Sequence, residues 1–262
     1  MKFLIQHNLM NEQQLLLTKQ AIEKLPHEFV GLIPFTDDII TDSSLEGVDY
    51  IPYGSTRFTM IASQRSWKGC HFDLTRFNYA AAANVRDDML NNEHIIPIVE
   101  AISFLQEQPE DSLWFIRPSE DLKQFSGMVI EAKECIDFLT DAMECASSGS
   151  YKLDPDTMVV LAEPKTIQAE WRWFIVDGKV VSGSMYRRSG QLVKIQETDL
   201  AVIAEAQAFA DKWLPDPCCV MDIALVDDQP KVIEFNCINS SGFYDHDIGA
   251  IFDALWQYHQ KI

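Results

Sequence analysis

The sequence predicts an α+β fold that opens with an α/β lobe, and three observations carry this reading. The chain begins strand–helix–strand, from Lys2 to about Ile33. A long hairpin turns at Asp177-Gly178, between two alternating apolar runs, which is the strongest short hairpin signal a sequence offers. A second hairpin, Met221 to Asn236, carries acidic and amide side chains inside apolar strands.

The elements follow in order. Lys2 to His7 reads as a first strand, and Asn11 starts a helix to Leu25 with Leu15, Leu16, Ala21 and Ile22 at helical spacing and Pro26 just beyond. Phe29 to Ile33 reads as a strand. The tract Asp49 to Ser55 places a Gly54-Ser55 turn at a strand's C-terminal edge, where ligands sit in open α/β sheets. Next come a helix Ile98 to Gln106, a strand Leu113 to Pro118, a loop Ser119 to Gly127 and a strand Met128 to Ile130. A helix from about Lys133 to Cys145 and a polar break, Ala146 to Ser150, follow. The strand Met158 to Glu163 runs into Pro164-Lys165. Beyond it lie the Ala169–Arg188 hairpin, a helix Leu200 to Trp213, the acidic hairpin and a closing helix Ile248 to Gln260. The expected division is 1–94, an N-terminal α/β domain; 95–157, a small lobe; and 158–262, a C-terminal lobe with a metal site.

Composition narrows the function. The 262 residues are 47% hydrophobic, enough for a sizeable core. A net charge of −19 disfavours general nucleic-acid binding, which rests on Lys and Arg neutralising phosphates. No apolar run approaches the ~18 residues of a membrane span, and Met1 to Asn8 is too short in apolar residues for a signal peptide. The six cysteines form no Cys-x-x-Cys pair, so neither a zinc site nor a disulfide framework is expected; reduced thiols and a cytoplasmic location are. Arg117, Lys123, Arg172, Arg187, Arg188 and Lys194 fall on predicted strands and their turns. Either they build a local anion site, or they pair with the surplus carboxylates.

On the terminal hairpin, Glu234 and Asn236 share one face and Phe235 takes the other. In-register pairing brings Asp222 near them, and three oxygen donors suit a hard cation such as Mg²⁺. The competing reading is a solvated polar face. Glu170 and Arg172 share a face opposite Trp171 and Trp173, which read as packing residues. His71 with Asp73, and His246 between Asp245 and Asp247, suggest metal ligation or acid–base catalysis, but isolated pairs of this kind more often read as surface or helix-cap residues. Arg57, Arg65, Arg76 and Arg86 read mostly as surface charges. The tract Asn239 to Tyr244 reads as a loop toward an acceptor substrate. No Ser-His-Asp or Cys-His nucleophile arrangement is apparent.

The order of these motifs is more specific than any one of them: strand-Arg117-Pro118, Lys123 and Gly127 in a loop, a strand ending Ala162-Glu163-Pro164, Glu170-x-Arg172 on a hairpin, Arg187-Arg188 on its return, then Asp222 and Glu234-x-Asn236. Over roughly Leu113 to Gly242 the sequence resembles the ATP-grasp superfamily of carboxylate–amine ligases. In particular it is similar to the arginine-for-lysine (R2K) clade of phages and bacteria. The resemblance implies an ATP-grasp fold: two α+β lobes with antiparallel sheets clasping ATP, preceded by a small α/β pre-ATP-grasp domain. It implies ATP and Mg²⁺ as cofactors, with Mn²⁺ as an alternative ion. Arg117, Lys123 and Gly127 would meet phosphate; Leu161, Ala162, Glu163, Lys165 and Glu170 would meet the nucleoside side. Asp222, Glu234 and Asn236 would hold the metal, and Arg172, Arg187 and Arg188 would act on the transferring phosphoryl group or the acceptor carboxylate. The implied reaction joins small-molecule or peptide carboxylate and amine substrates through an acyl phosphate, with no membrane partner and with a homodimer as one allowed state. A kinase acting on a hydroxyl and a non-catalytic nucleotide-binding interaction protein are the alternatives.

Overall fold

The computed structural model describes residues 1–122, 124–144 and 153–261. In chain order the elements are β1 (Lys2–Gln6), α1 (Glu12–Ile22), β2 (His27–Leu32), β3 (Ile39–Ile40), β4 (Tyr50–Tyr53), α2 (Thr56–Gln64), α3 (Tyr79–Ala83), β5 (His94–Pro97), α4 (Ile98–Gln106), β6 (Leu113–Pro118), β7 (Met128–Glu131) and α5 (Ala132–Glu144). There follow β8 (Met158–Ala162), β9 (Ala169–Val176), β10 (Lys179–Arg188), β11 (Gln191–Gln196), α6 (Leu200–Lys212), β12 (Cys219–Val226), β13 (Gln229–Cys237), a 3-10 turn (Ile238–Ser240) and α7 (Ile248–Lys261). The expected Lys123 loop position, the end of the fifth helix at Cys145 and the polar break Ala146 to Ser150 lie outside the described residues.

The chain forms two compact units. The first gathers Met1–Asp73, Ala169–Ile223 and Phe235–Ile262. Its small sheet has the order β3-β2-β1-β4, with β1 parallel to both β2 and β4. Strand alternation splits β1 between two cores. Phe3 and Ile5 pack with Phe174, Val220, Ile251, Phe252 and Leu255, whereas Leu4 packs with Tyr50, Phe58, Ile61 and Trp67. Burial on both faces explains why β1 is a continuous apolar run. α1 starts at a full capping box, with Asn11 Oδ1 accepting from Gln14 N and Gln14 Oε1 accepting from Asn11 N. It ends at Ile22, three residues short of the Leu25 expected from the spacing.

The larger sheet runs β11-β10-β9-β12-β13. Its three hairpins all turn on two residues of positive φ: Asp177-Gly178, Ser189-Gly190 and Asp227-Asp228. Such turns match the right-handed twist of the flanking strands. In the last of them the turn is Asp227-Asp228 alone, since Gln229 and Pro230 already belong to β13.

The second unit gathers Leu74–Gln168 and Ala224–Glu234. Its antiparallel sheet has the order β5-β8-β6-β7. Trp114, Ile116, Val159 and Leu161 pack under α4 and α5 with Ala101, Leu105, Cys135 and Leu139. Alternation therefore sends Phe115 and Arg117 to the face away from these helices, opposite Ala162 and Val160 on β8. The hairpin tip is fixed by backbone bonds between Val232 and the segment Asp88–Leu90.

Candidate functional site

In the second unit, Arg117 sits at the end of β6. Its Nη1 lies 2.6 Å from Glu234 Oε2, and its guanidinium lies over the Tyr79 ring at 5.6 Å. Burial works against the Arg117 charge while Glu234 works for it, and the balance raises its pKa further. Burial also pushes the Tyr79 hydroxyl up to about 12. Gly127 stands beside this group. A Cβ there would lie 3.2 Å from the Phe115 ring and 3.6 Å from Arg117 Cβ, so the residue permits a close approach of the loop backbone.

Leu161 and Ala162 are wholly buried in β8. The ladder to β5 ends at Leu161, while that to β6 continues to Ala162. Glu163 is exposed just beyond, and its carbonyl accepts from Lys165 Nζ at 3.0 Å. Lys165 also pairs with Glu93.

In the first unit, Arg172 on β9 holds Asp222 on β12 through Nε at 2.9 Å and Nη2 at 2.7 Å. Asp222 is 1% exposed, so this is a buried, bidentate ion pair. Asn236 Nδ2 donates to Asp222 Oδ2 at 3.4 Å. Tyr186 and Tyr244 stack with centroids 4.8 Å apart, and Arg172 lies over both rings. Buried Glu170 accepts from the Tyr186 hydroxyl at 2.7 Å and from Arg187 Nη1 at 3.1 Å.

A β-bulge creates that last arrangement. Register shifts between Met185 and Arg187, so Arg187 faces Glu170 while Ser184 faces Arg172. Simple alternation would have sent Arg187 to the other face of β10. Arg188 is exposed at the strand end. The structure thus joins Arg172, Asp222 and Asn236 in one cluster, Glu170 and Arg187 in a second, and Arg117 and Glu234 in a third.

The first unit also carries an open pocket of about 500 Å³. Its walls come from Tyr53, Gly54 and Ser55, from Asn11, Gln14 and Thr18 on the first helix and its cap, and from Ser240 and Gly242 to Asp245. The Gly54-Ser55 turn and the tract after β13, read separately in the sequence as ligand-facing, therefore line one space. Ser55 caps α2 and is held by Gln6 Oε1, which accepts from its N at 2.9 Å and its Oγ at 2.8 Å.

Asn239 had no role assigned beyond its loop. It is buried, and its Nδ2 donates to the Pro52 and Gly69 carbonyls at 2.7 and 3.0 Å while its Oδ1 accepts from His71 N at 2.7 Å. No local spacing signals a side chain that joins segments 170 residues apart. Three expected surface residues are also corrected. Arg86 is buried against Asp88, His71 is buried beside Asp216 and His259, and His246 is buried against Ser182. Each lies in a polar stretch of sequence, where local pattern gives no sign of the distant segments that cover it.

Taken with the sheets and helices of both units, these clusters belong to the ATP-grasp fold. The RimK domain ATP-grasp protein of Sphaerobacter thermophilus DSM 20745 matches at a TM-score of 0.60 and 12% identity, over 98% of this chain and 100% of that one. D-alanyl-alanine synthetase A from Vibrio cholerae O1 biovar eltor matches at 0.57 and 10% identity, over 97% and 98%. The ATP-grasp ligase PsnB complexed with a minimal precursor matches at 0.56 and 14% identity, over 98% of both chains. The chain belongs to the ATP-grasp domain, R2K clade family 3, which matches residues 67–257. No curated protein matched it. Among the described residues, no helix is long and apolar enough to cross a membrane.

Proposed function

We propose that this protein is an ATP- and Mg²⁺-dependent ligase that joins a carboxylate to an amine through an acyl phosphate. The observation that carries the reading is the buried cluster of Arg172, Asp222 and Asn236 within a chain of this family. Two carboxylates and an amide oxygen, from Asp222, Glu234 and Asn236, fit a hard cation by their donor chemistry. Bound there, Mg²⁺ would supply Lewis-acid stabilisation of phosphate charge. PsnB has been solved with Mg and ADP, which supports this pair of cofactors, with Mn²⁺ as an alternative ion.

The chain's own residues have definable tasks. A carboxylate is a poor electrophile because its leaving group would be oxide; phosphorylation supplies a better one, and catalysis then needs positioning and cations more than a nucleophilic side chain. Arg117 and Lys123 would hold phosphate oxygens, with Gly127 admitting the backbone. The open edge of β8 at Ala162 and Glu163, with Leu161 and Lys165 beside it, would offer backbone groups to the adenine, and Glu170 would take a nucleoside-binding role. Arg172, Arg187 and Arg188 would face developing negative charge. In functional terms we keep the division into 1–94, 95–157 and 158–262.

The pocket lined by Tyr53 to Ser55 and Gly242 to Asp245 is our choice for the acceptor. Its volume of about 500 Å³ suits a small molecule or the end of a peptide. Lys194 and Asp245 on its lining give one charge of each sign, complementary to a substrate bearing both carboxylate and amine. The enzyme would act in the cytoplasm. Incubation with ATP, Mg²⁺ and pools of amino acids and short peptides should release ADP and phosphate and yield an amide adduct by mass spectrometry. A stable phosphoester in place of free phosphate would make it a kinase. Nucleotide binding without turnover across the pools would make it an interaction protein.

A further inference from the structure

We propose that His71, Asp216 and Cys218 form a binding site for a borderline-soft divalent cation, with zinc the best match. One ligand atom from each of the three lies within 4.8 Å of the other two. His71 follows α2, and Asp216 and Cys218 lead into β12, so the fold brings an imidazole to a carboxylate 145 residues away in sequence. Such a set needs no Cys-x-x-Cys pair. Only Asp216 and Cys218 are close in the chain, and no linear pattern contains all three.

The donor set selects the ion. A thiolate, an imidazole and one carboxylate oxygen are ligands zinc takes in proteins, at about 2.0–2.3 Å. The setting suits a held ion. The His71 and Asp216 side chains are 8% and 19% exposed, Cys218 is wholly buried, and the partial opening at Asp216 admits water as a fourth ligand.

The surroundings of His71 fit as well. Its Nδ1 lies 2.8 Å from Asp216 Oδ1, and its Nε2 lies 3.0 Å from His259 Nε2. With Nδ1 on the ion, the ring proton resides on Nε2 and is donated to His259, which fixes tautomer and ring plane as outer partners of zinc-bound histidines do. Asp216 Oδ1 also accepts from Cys218 N at 2.8 Å, which holds carboxylate and thiol on one turn. An Asp–His pair alone gives no reason for a thiol to converge on it.

The binding step balances simply. The ion replaces the hydrogen bond between His71 and Asp216, whose proton passes from Nδ1 to Nε2 of His71 while His259 carries its own on Nδ1; bonds form to nitrogen, oxygen and sulfur, and the Cys218 thiol proton leaves to solvent. No electrons move. The site would clamp the loop after α2, the entry to β12 and, through His259, the end of α7.

The test uses the full-length chain, stripped with chelator and titrated with Co²⁺ and then Zn²⁺. One equivalent of Co²⁺ should give a thiolate-to-cobalt charge-transfer band that Zn²⁺ removes and excess Mg²⁺ leaves intact, since magnesium avoids sulfur. Cys218→Ser should lose the band. His259→Gln should keep it while weakening Zn²⁺ binding by about tenfold or more. Absence of the band in the wild type, its loss to Mg²⁺, or unchanged Zn²⁺ affinity in folded Cys218→Ser would each overturn the proposal. If Cys218→Ser does not fold, the wild-type cobalt spectrum decides alone.

Discussion

Arg172 grips Asp222 with both arms of its fork, at 2.9 and 2.7 Å, under the stacked rings of Tyr186 and Tyr244. Arg117 and Glu234 repeat the pairing in the other unit at 2.6 Å. The two carboxylates expected to hold a metal are therefore each joined to an arginine expected to meet phosphate or acceptor. Of the two readings of the basic residues, the carboxylate partner is the one seen at Arg117, Arg172 and Arg187; the anion site belongs to the proposed function.

Asp222→Ala should destabilise the protein by about 3–5 kcal/mol, because it strands a largely buried guanidinium. Urea unfolding of Asp222→Ala, Arg172→Ala and the double variant gives the coupling. The double variant should be clearly less damaged than the sum of the single ones. Additive losses would show that the pair is not interacting as drawn.

Glu234→Ala tests the catalytic assignment. The variant leaves Arg117 without this partner and should lose some stability while keeping its far-UV circular dichroism, and ATP turnover should fall by about 100-fold or more. Full turnover in a folded Glu234→Ala protein would remove this residue from the metal set. Arg117→Lys, which keeps the charge and loses the planar fork, should also lower turnover.

Much of this was readable in the sequence, and the failures share a cause. Helix α4, strand β6 and the β9–β10 hairpin matched their expected limits because periodicity and turn chemistry are local signals. The strand β11 was missed although Ser189-Gly190 marks its turn, since Gln191–Gln196 is short and mostly exposed. Short helix α2 was missed although Ser55 caps it. For the site, residue types and order singled out the side chains of the three clusters but not which of them meet: Glu234 pairs with Arg117, apart from the Arg172, Asp222 and Asn236 group. The bulge that turns Arg187 to Glu170, and the long-range bonds of Asn239 and His71, depend on register and packing that no window of sequence contains.

Gly183 should be intolerant of any side chain. It faces Trp173 across the β9–β10 ladder, and an added Cβ would lie 2.1 Å from Trp173 Cζ3. Trp173 is 1% exposed and cannot swing away, so Gly183→Ala should cost about 2 kcal/mol or more through overpacking. Gly178→Ala meets no atom within 4 Å but keeps φ at +70°, so its cost should be about 1 kcal/mol, from backbone strain alone. Denaturant midpoints of the two variants separate the mechanisms.

Asn239→Ala removes four buried hydrogen bonds and leaves the Pro52 and Gly69 carbonyls, the His71 amide and the Cys237 thiol without that partner. A loss of about 2–4 kcal/mol is expected in urea unfolding. Gly54 N also donates to the Asn239 carbonyl at 2.9 Å, so loosening this residue should disturb the pocket wall at Gly54-Ser55. Once an acceptor is identified, its KM should rise more than the KM for ATP.

His246 sets a pH dependence of stability. Burial, with a smaller contribution from the Arg172 charge, lowers its pKa from 6.5 to about 3. Ser182 Oγ lies 3.0 Å from Nδ1, the Phe174 ring meets the imidazole edge-on, and Asp245 and Asp247 flank it in the chain. The folded protein keeps this ring neutral, whereas the unfolded chain takes up a proton below its ordinary value. Stability should therefore fall as pH drops below 6.5 and keep falling toward about 3. The slope from this one group approaches about 1.4 kcal/mol per pH unit. Urea unfolding between about pH 7 and pH 5 should show His246→Asn losing less stability than the wild type over the same interval, by about 2 kcal/mol. Equal slopes in the two proteins would mean that His246 protonates in the folded state and is not shielded as its burial implies.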